Sequence, residues 1–339
     1  MKIRDRVGSR LEQLWYDHER TPPAPLILLE TLFKAIVRHR QKRVERGHAP
    51  AQRLPVPVIV VGNLSVGGTG KTPFTVWLAR LLVAHGWRPG IITRGYGGHQ
   101  GPSPIRILDD TPYAVAGDEA LLLATRTQRP VAVCRQRVAA ARLLVDTTDV
   151  NILLADDGLQ HYALGRDLEI ALIDGTRGLG NGHCLPAGPL REPPERLKRV
   201  DWLVYTGEAP EGEIRMHLKG DLAVALDASG TTRPLADFKG RSVRAVAGIG
   251  NPDRFFTHLR RHGLDIIEAP FPDHHPFTRN DLDVRPDEIL LMTEKDAMRC
   301  RSLTLVNAYY VPVDAELPDV FSNALVQQLK HLNHGQQTA

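Results

Sequence analysis

A glycine-rich stretch from Asn63 to Phe74, NLSVGGTGKTPF, carries the residue types that bind nucleotide phosphates. In a phosphate-binding loop (P-loop), glycines let backbone N–H groups converge on phosphate oxygens, a lysine balances the phosphate charge and a hydroxyl residue coordinates magnesium. The general pattern G-x-x-x-x-G-K-[ST] expects glycine where this chain has Ser65. A buried strand before the stretch and a helix after it favour a nucleotide site over a plain glycine turn. The predicted nucleotide-binding residues are Ser65, Val66, Gly67, Gly68, Thr69, Gly70, Lys71 and Thr72.

A P-loop enzyme also needs a carboxylate near the magnesium ion, normally at the end of a neighbouring hydrophobic strand. The run NILLADD supplies Asp156 and Asp157. Paired acids after a strand are often only a turn, but behind a P-loop they are the expected partners of Thr72 at a Mg²⁺ ion. The spacing leaves open which of the two faces the metal.

Transfer of phosphate to an alcohol requires a group that positions or deprotonates the incoming hydroxyl. The candidates are Asp118 and Glu119 at a predicted helix start, His161 in DDGLQH, and His274 or His275 in FPDHHPF. Each has a simpler interpretation, because an acid in a first turn stabilises a helix and a loop histidine is often only solvated. The residues alone therefore indicate a magnesium-dependent nucleotide user and go no further.

The elements around these residues alternate between strand-like and helix-like segments from residue 55 onward, which predicts an α/β fold with a largely parallel sheet. A Gly/Pro-rich stretch, TRGLGNGHCLPAGPLREPPERL, interrupts the alternation and is long enough to be functional. Strand and helix patterns resume after it, so a second α/β domain is predicted, with a boundary near residues 165–170. The final helix is compatible with packing on either domain.

Composition indicates a globular protein: of 339 residues, 42% are hydrophobic and 24% are charged. The three cysteines are far apart, so neither a disulfide framework nor a zinc site is predicted. Residues 1–50 carry eleven Lys or Arg against six Asp or Glu, concentrated after the apolar run PLILLETLF. That run is too short to span a bilayer. It fits either an ordinary helix packed on the protein or an amphipathic helix lying in a membrane interface. No nucleic-acid reader motif is present.

Taken together, several strings resemble the tetraacyldisaccharide 4'-kinase (lipid A 4'-kinase) family. They are VGNLSVGGTGKTP, TRGYGG, GDEA, DDGLQH, RGLGNG with LPAGPLREP, FPDHHPF and TEKDA, in family order from about residue 56 to 297. That family's P-loop carries Ser or Thr where the general pattern has its first glycine, so Ser65 fits. The resemblance implies that ATP phosphorylates the 4'-hydroxyl of tetraacyldisaccharide 1-phosphate to give lipid IVA. It also implies a P-loop kinase-like fold with two α/β domains, a short two-stranded linker and a cleft between the domains.

The resemblance further implies roles for individual residues. Lys71 would act on the transferred phosphate, and Thr72 with Asp157, helped by Asp156, would hold Mg²⁺. Asp118 would be the catalytic base, supported by His274 from across the cleft. The further family positions, with looser substrate or supporting roles, are Arg191, Glu119, Tyr96 and His161.

Family membership would make the chain a peripheral protein on the cytoplasmic face of the inner membrane, with no obligate protein partner evident. The predicted domains are residues 1–50, an amphipathic and basic membrane-interface segment; 51–167, the ATP-binding domain, on which a helix at 317–335 could pack; and 168–316, the second domain. A different interpretation is a P-loop switch whose nucleotide state controls a partner. The long loop and the second domain favour the kinase.

Overall fold

The computed structural model describes residues 11–17, 20–47, 50–98, 101–227, 229–285 and 287–336. Within this part of the chain the strands form two sheets. The nine strands of the larger sheet are β1 (Val58–Gly62), β2 (Pro89–Thr93), β3 (Ile105–Ile107), β4 (Val131–Val133), β5 (Ile152–Asp156), β6 (Leu168–Asp174), β7 (Trp202–Thr206), β8 (Ile214–Lys219) and β15 (Asp314–Glu316). The smaller sheet has β9 (Leu222–Ala225), β10 (Thr232–Pro234), β11 (Val243–Ala247), β12 (Ile266–Pro270), β13 (Ile289–Thr293) and β14 (Ala308–Val311).

Helices cover both sheets. They are α1 (residues 11–16), α2 (Ala24–Glu45), α3 (Lys71–Ala84), α4 (Tyr113–Ala116), α5 (Asp118–Thr127), α6 (Arg137–Thr147), α7 (Pro252–Arg261), α8 (Glu294–Arg299) and α9 (Asp319–Gln336). Short 3-10 helices cover Pro194–Arg199, Leu235–Phe238 and Arg279–Leu282. The predicted strands and helices around the P-loop are confirmed: β1 is buried along its whole length, and α3 ends just before Gly86, which has a left-handed φ of 83°.

The larger sheet has the order β15-β8-β7-β6-β1-β5-β2-β4-β3, and its neighbours are parallel except at the two edges. Successive residues of a strand point to opposite faces. Ile59 and Val61 of β1 accordingly join the apolar cluster under α3, whereas Val58 and Val60 join the cluster under α6. Because the carboxyl ends of parallel strands meet at one edge, the loops after β1, β2, β4 and β5 gather there.

The sheet pairing corrects the predicted boundary at residues 167 and 168. Strand β6, expected to open the second domain, runs parallel to β1, with Ile59 opposite Leu168, and β7 and β8 extend the same sheet. The alternation of strands and helices identifies strands but does not say which strand each one pairs with, so the boundary was placed too early. The smaller sheet begins only at β9.

Two neighbouring strands of the larger sheet connect it to the smaller one. The chain leaves the larger sheet through β8 and returns through β15, which pairs antiparallel with β8. Helix α9 then packs on the larger sheet, where the ring of Phe321 stacks on Trp77 of α3 at 5.7 Å and meets Trp202 of β7 edge-on at 5.2 Å. These ring contacts show that the final helix packs on the larger sheet, which the sequence had left open.

The predicted N-terminal helix is present as α2, but its apolar residues are not all on the buried side and its polar residues are not all on the exposed side. Its most buried residue is Glu30, which is 3% exposed, while Leu28, Leu32 and Ile36 are 73%, 60% and 46% exposed. Glu30 accepts hydrogen bonds of 2.8 Å from the backbone N–H of Cys184 and from His183 Nδ1. The hydrogen bonds of the buried Glu30 carboxylate therefore hold α2 against the protein, and much of the apolar surface of the helix faces outward. Among the described residues, no helix is both long and apolar enough to cross a membrane.

Candidate active site

The P-loop connects β1 to α3 and has the backbone shape of a phosphate cradle. Gly67 and Gly70 have φ angles of 112° and 81°, which side chains rarely adopt. The hydroxyl of Thr69 is buried and has no hydrogen-bond partner within the described part of the chain. An unsatisfied buried hydroxyl is rare, and a bound phosphate oxygen is the kind of group that would satisfy it. The loop thus fits the phosphates of a nucleotide.

Ser65 lies where the chain does not need glycine. It forms an isolated antiparallel bridge with Leu190, and the neighbouring Val66 N–H donates to the carbonyl of Pro189 at 2.8 Å. The N–H of Arg191 donates in turn to Leu64 O at 2.7 Å. The Gly/Pro-rich loop that follows β6 is therefore joined to the start of the P-loop, and this pairing replaces the bend that a first glycine would provide.

Lys71 begins α3 and faces the carboxyl end of β5. Its ammonium donates to Asn63 Oδ1 at 2.9 Å and lies 3.5 Å from Asp157 Oδ1. Arg191 donates to both oxygens of Asp157 at 3.0 Å. Burial would raise the pKa of Asp157, but the charges of Lys71 and Arg191 hold it well below its usual range. Asp157 is therefore an anion between two cations at the mouth of the P-loop.

Asp156 has the opposite electrostatic setting. It is fully buried, and its Oδ1 accepts a 2.9 Å hydrogen bond from Thr75 in the first turns of α3. Burial and the nearby charge of Glu119 raise the pKa of Asp156 to about 6. Within the described residues there is no group of three or more His, Cys, Asp or Glu side chains suited to a metal ion. This does not conflict with magnesium, which usually keeps several waters and takes one or two carboxylates together with substrate phosphates.

His161 and Arg137 lie behind this acid pair. Arg137 is 2% exposed, and its Nε and Nη2 atoms have no hydrogen-bond partner among the described residues. Burial and the charge of Arg137 lower the pKa of His161 to about 4, so this imidazole is neutral at pH 7. His161 is thus near the acids, as is Arg137, which no sequence motif singled out.

A second group of side chains meets at the start of α5. Asp118 is 0% exposed, and its Oδ2 accepts a 3.0 Å hydrogen bond from Nδ1 of His274, which belongs to the loop after β12 of the smaller sheet. The ring of Tyr96 lies 4.9 Å from the His274 ring. His274 has a φ of 59°, an uncommon value for a non-glycine residue that is often found at functional sites. The two sheets therefore bring together the Asp–His pair that the sequence analysis predicted.

The pair is electrostatically biased toward Asp⁻ and a protonated Nδ1. Burial would raise the pKa of Asp118, but the hydrogen bond from His274 and the charges of Arg299 and Lys295 lower it to about 2. The hydrogen bond to Asp118 raises the pKa of His274. His275 instead faces Asp281 at 3.4 Å and packs between Phe271 and Phe277. Of the adjacent histidines, His274 is the one that reaches Asp118.

Helix α8 of the smaller sheet faces α5 through three complementary ion pairs. They are Arg299 with Asp118, Lys295 with Glu119 at 2.5 Å, and Glu294 with Arg126 at 2.7 Å. The charge of Lys295 lowers the pKa of Glu119, and Lys71 acts in the same direction. Glu119 is thus within electrostatic range of both the P-loop and the Asp118–His274 pair. Arg299 was missed because only the string TEKDA, which ends before it, matched the family.

The parallel sheet, the P-loop, the acids at the carboxyl end of β5 and the Asp–His pair define a nucleotide-binding protein of the P-loop phosphotransferase class. Comparisons with known proteins then show the family. The family model described as Tetraacyldisaccharide-1-P 4'-kinase matches residues 23–330. The chain belongs to that family, as the resemblance predicted.

Individual relatives cover nearly the whole chain. A tetraacyldisaccharide 4'-kinase of Nitrosococcus oceani is 46% identical over 325 residues, which are 95% of each chain. The protein of the same name from Pseudomonas aeruginosa is 44% identical over 330 residues, covering 96% of this chain and 98% of the relative. A crystal structure of LpxK from Aquifex aeolicus in complex with ATP superposes with a TM-score of 0.75 at 29% identity, over 89% of this chain and 98% of that one.

Proposed function

We propose that this chain uses ATP to phosphorylate the 4'-hydroxyl of tetraacyldisaccharide 1-phosphate, forming lipid IVA in lipid A biosynthesis. Membership of the 4'-kinase family over residues 23–330 is the observation that carries the proposal. The structural neighbour that contains ATP supports the identity of the phosphate donor. The geometry adds a P-loop on one sheet and an acid–histidine pair that only the two sheets together can form.

The P-loop residues Ser65 to Thr72 hold the phosphates of ATP in this proposal. Backbone N–H groups and the start of α3 attract the phosphate anions, and Lys71 balances the charge of the transferred group. The hydrogen bond to Asn63 and the nearby Asp157 hold the Lys71 ammonium beside the loop that would bind the phosphates. Arg191 contacts Asp157 beside the same loop, which supports a role for it on ATP or substrate phosphate.

The residues that would hold Mg²⁺ are Thr72, Asp157 and Asp156. All three lie at the junction of β5 and α3, and the oxygen atoms of hydroxyl and carboxylate groups are the ligands that magnesium prefers. When bound, the ion supplies charge neutralisation of the β- and γ-phosphates. Arg191 and Lys71 keep Asp157 ionised, and the ionised carboxylate is the form that binds a cation.

Asp118 and His274 act together on the acceptor hydroxyl in this proposal. Because the Asp118 carboxylate can only accept, Nδ1 of His274 carries the hydrogen of their shared bond. The neutral imidazole then has its lone pair on Nε2, which lies 3.7 Å from Asp273 Oδ1. His274 is partly exposed whereas Asp118 is fully buried. The proton therefore enters the pair at the histidine, and Asp118 orients the ring and stabilises the imidazolium. This division differs from the predicted one, in which Asp118 itself was the base. Tyr96 packs on the ring, and Glu119 supports the pair through Lys295.

The lipid substrate requires access to a membrane surface, and α2 has suitable chemistry. Its outward residues Leu28, Leu29, Leu32 and Ile36 form an exposed apolar row. Further along the same helix, an open cleft is lined by four basic side chains and two acidic ones, and is therefore basic on balance; its charged residues are Arg38, Lys42, Arg196, Arg199, Glu45 and Glu195. An apolar row beside a basic cleft fits acyl chains and anionic head groups. We propose peripheral binding to the cytoplasmic face of the inner membrane through this helix.

The direct test incubates the protein with γ-labelled ATP, magnesium and the tetraacyl disaccharide 1-phosphate in detergent micelles. The expected result is label on the lipid, at the 4' position. Release of labelled phosphate to water without a lipid product would reject the kinase and favour a P-loop switch.

A further inference from the structure

Arg299 joins the two sheets at the Asp118–His274 pair. It is the last residue of α8, beside the smaller sheet, whereas Asp118 begins α5 on the larger one. Its Nε lies 3.0 Å from Asp118 Oδ2, and its Nη2 contacts the same oxygen. Both side chains are 0% exposed. A dry, charge-assisted contact of this kind is strong and directional.

The other edge of the guanidinium is fixed as well. Nη1 donates to the carbonyl of Gly248 and to Asp296 Oδ1, each at 2.7 Å. Asp296 is itself held, because its carboxylate accepts from Thr293 Oγ1 at 2.6 Å and from the Gly248 N–H at 3.1 Å. The planar guanidinium therefore has little freedom to turn away from Asp118.

Both carboxylate oxygens of Asp118 accept hydrogen bonds. Oδ1 accepts from the N–H of Glu119 at 2.9 Å, while Oδ2 accepts from Arg299 and from His274. A carboxylate held on both oxygens cannot rotate, so the direction of its bond to the His274 ring is set. The positive charge of Arg299 also lies beside the ring, since Nη2 is 3.4 Å from Nδ1.

We propose that Arg299 is a positioning residue of the phosphotransfer reaction, which fixes Asp118 as an oriented anion and sets the pH range over which the Asp118–His274 pair accepts a proton. The inference rests on the proposed function of that pair. A cation beside a base disfavours the protonated form of the base. Loss of Arg299 therefore raises the pKa of the pair. The acid limb of the pH–activity profile, where activity falls because the pair becomes protonated, then moves to higher pH.

Other charged and titratable groups face the pair and must stay in place for the comparison. From α8 these are Lys295 and Asp296, from α5 Glu119, from α4 Tyr113, and from the histidine loop Asp273. Tyr96 packs on the His274 ring. All of these residues stay in the chain when position 299 is substituted, but Asp296 and Tyr113 themselves interact with Arg299. R299K, which keeps the charge beside all of these groups, is therefore the comparison that separates loss of the charge from other effects of the substitution.

The experiment measures kcat/KM for lipid against pH in the wild type, R299M, R299Q and R299K. We expect R299M to lower kcat about tenfold or more, with KM for ATP changed by less than about threefold. We expect its acid limb to move up by about one pH unit, the lower end of the usual effect of a neighbouring charge. R299K keeps the charge and returns the limb to within a few tenths of the wild-type position. R299Q can still donate to Asp118, and it tests the missing charge with less risk to folding.

Arg126→Met is the matched control. Arg126 also crosses from α5 to α8 and is also largely buried, but its partners are Glu294 and Asp314, and it has no contact with Asp118 or His274 among those described. We expect R126M to lower the melting temperature and leave the acid limb unmoved.

If R299M and R299Q also lose stability but keep the wild-type acid limb, Arg299 only holds the sheets together and the inference is wrong. Asp118→Asn, assayed in parallel, separates this failure from that of the proposed function. An active D118N enzyme would reject the pair itself, whereas an inactive D118N with an unshifted R299M would reject only the role of Arg299.

Discussion

The Asp118–His274 pair allows a quantitative test of whether two residues from different sheets act as one unit. The substitutions are Asp118→Asn, His274→Gln and the double variant, which remove the carboxylate, the imidazole and both. General base catalysis contributes about 10²- to 10⁴-fold to rate. If the 3.0 Å hydrogen bond makes the pair one functional unit, each single substitution removes most of that factor. The double variant is then no more than a few-fold slower than the slower single variant.

Independent residues would give a different result. Two separate losses of about 10² each multiply to about 10⁴, because independent contributions to the activation free energy add. The structure predicts a coupling close to the full effect of one substitution, about 2.7 kcal/mol for a 10²-fold loss. Single-turnover phosphotransfer to the lipid, with saturating ATP, measures the chemical step directly.

The stability of each variant must be measured beside its activity. Asp118→Asn leaves the buried guanidinium of Arg299 with Asp296 as its remaining carboxylate partner. Removing one member of a buried ion pair typically destabilises a protein by about 3–5 kcal/mol. The variant should therefore melt earlier but still bind ATP, whose site does not contain Asp118. A multiplicative double variant, or D118N activity within about threefold of wild type in a folded protein, would refute the pair.

Three further perturbations test the remaining parts of the site and fold. Asp157→Asn should raise the magnesium concentration needed for half-maximal kinase activity, and an unchanged dependence would assign the metal to the neighbouring carboxylate. The double substitution Leu28→Glu and Leu32→Glu should weaken binding to anionic vesicles by about tenfold or more, since each leucine buried in the membrane contributes about 1.5–3 kcal/mol. The control Leu108→Glu, at another exposed leucine, should bind the vesicles as the wild type does. Wild-type binding by the double variant would place the membrane contact elsewhere. Phe321→Ala should lower the free energy of unfolding in urea by about 3–5 kcal/mol, and a change below about 1 kcal/mol would show that α9 is not needed to cover the sheet.

The local elements of the fold were predictable from the sequence because their signals are local. A continuous β-branched run gives a buried strand wherever it pairs, so β1 followed from Val56–Asn63 alone. The glycines and Lys71 that follow it define the P-loop by composition and spacing. The helix after it needed only apolar spacing and a Gly86 terminator. None of these inferences depends on residues far away in the chain.

The order of the strands depends on distant residues and was predicted less well. Strand β6 has the pattern of any buried strand, and nothing in its own residues indicates that it pairs with β1. The pairing is set by the helices and loops that cover both faces. For α2, the apolar run left open whether its leucines pack inward or face a membrane. In the structure Glu30 is buried through its hydrogen bonds, and much of the apolar row faces outward.

Arg299 shows why part of an active site cannot be found from sequence patterns. An arginine at the end of a short helix has many ordinary uses, and its distance from Asp118 along the chain is 181 residues. Only the packing of α8 on α5 makes it a neighbour of Asp118. The same packing places three ion pairs in register between the two sheets, so a displacement of one sheet would separate all of them together. Catalytic competence of the Asp–His pair is therefore linked to the arrangement of the two sheets, because Asp118 comes from one sheet and its partners His274 and Arg299 come from the other.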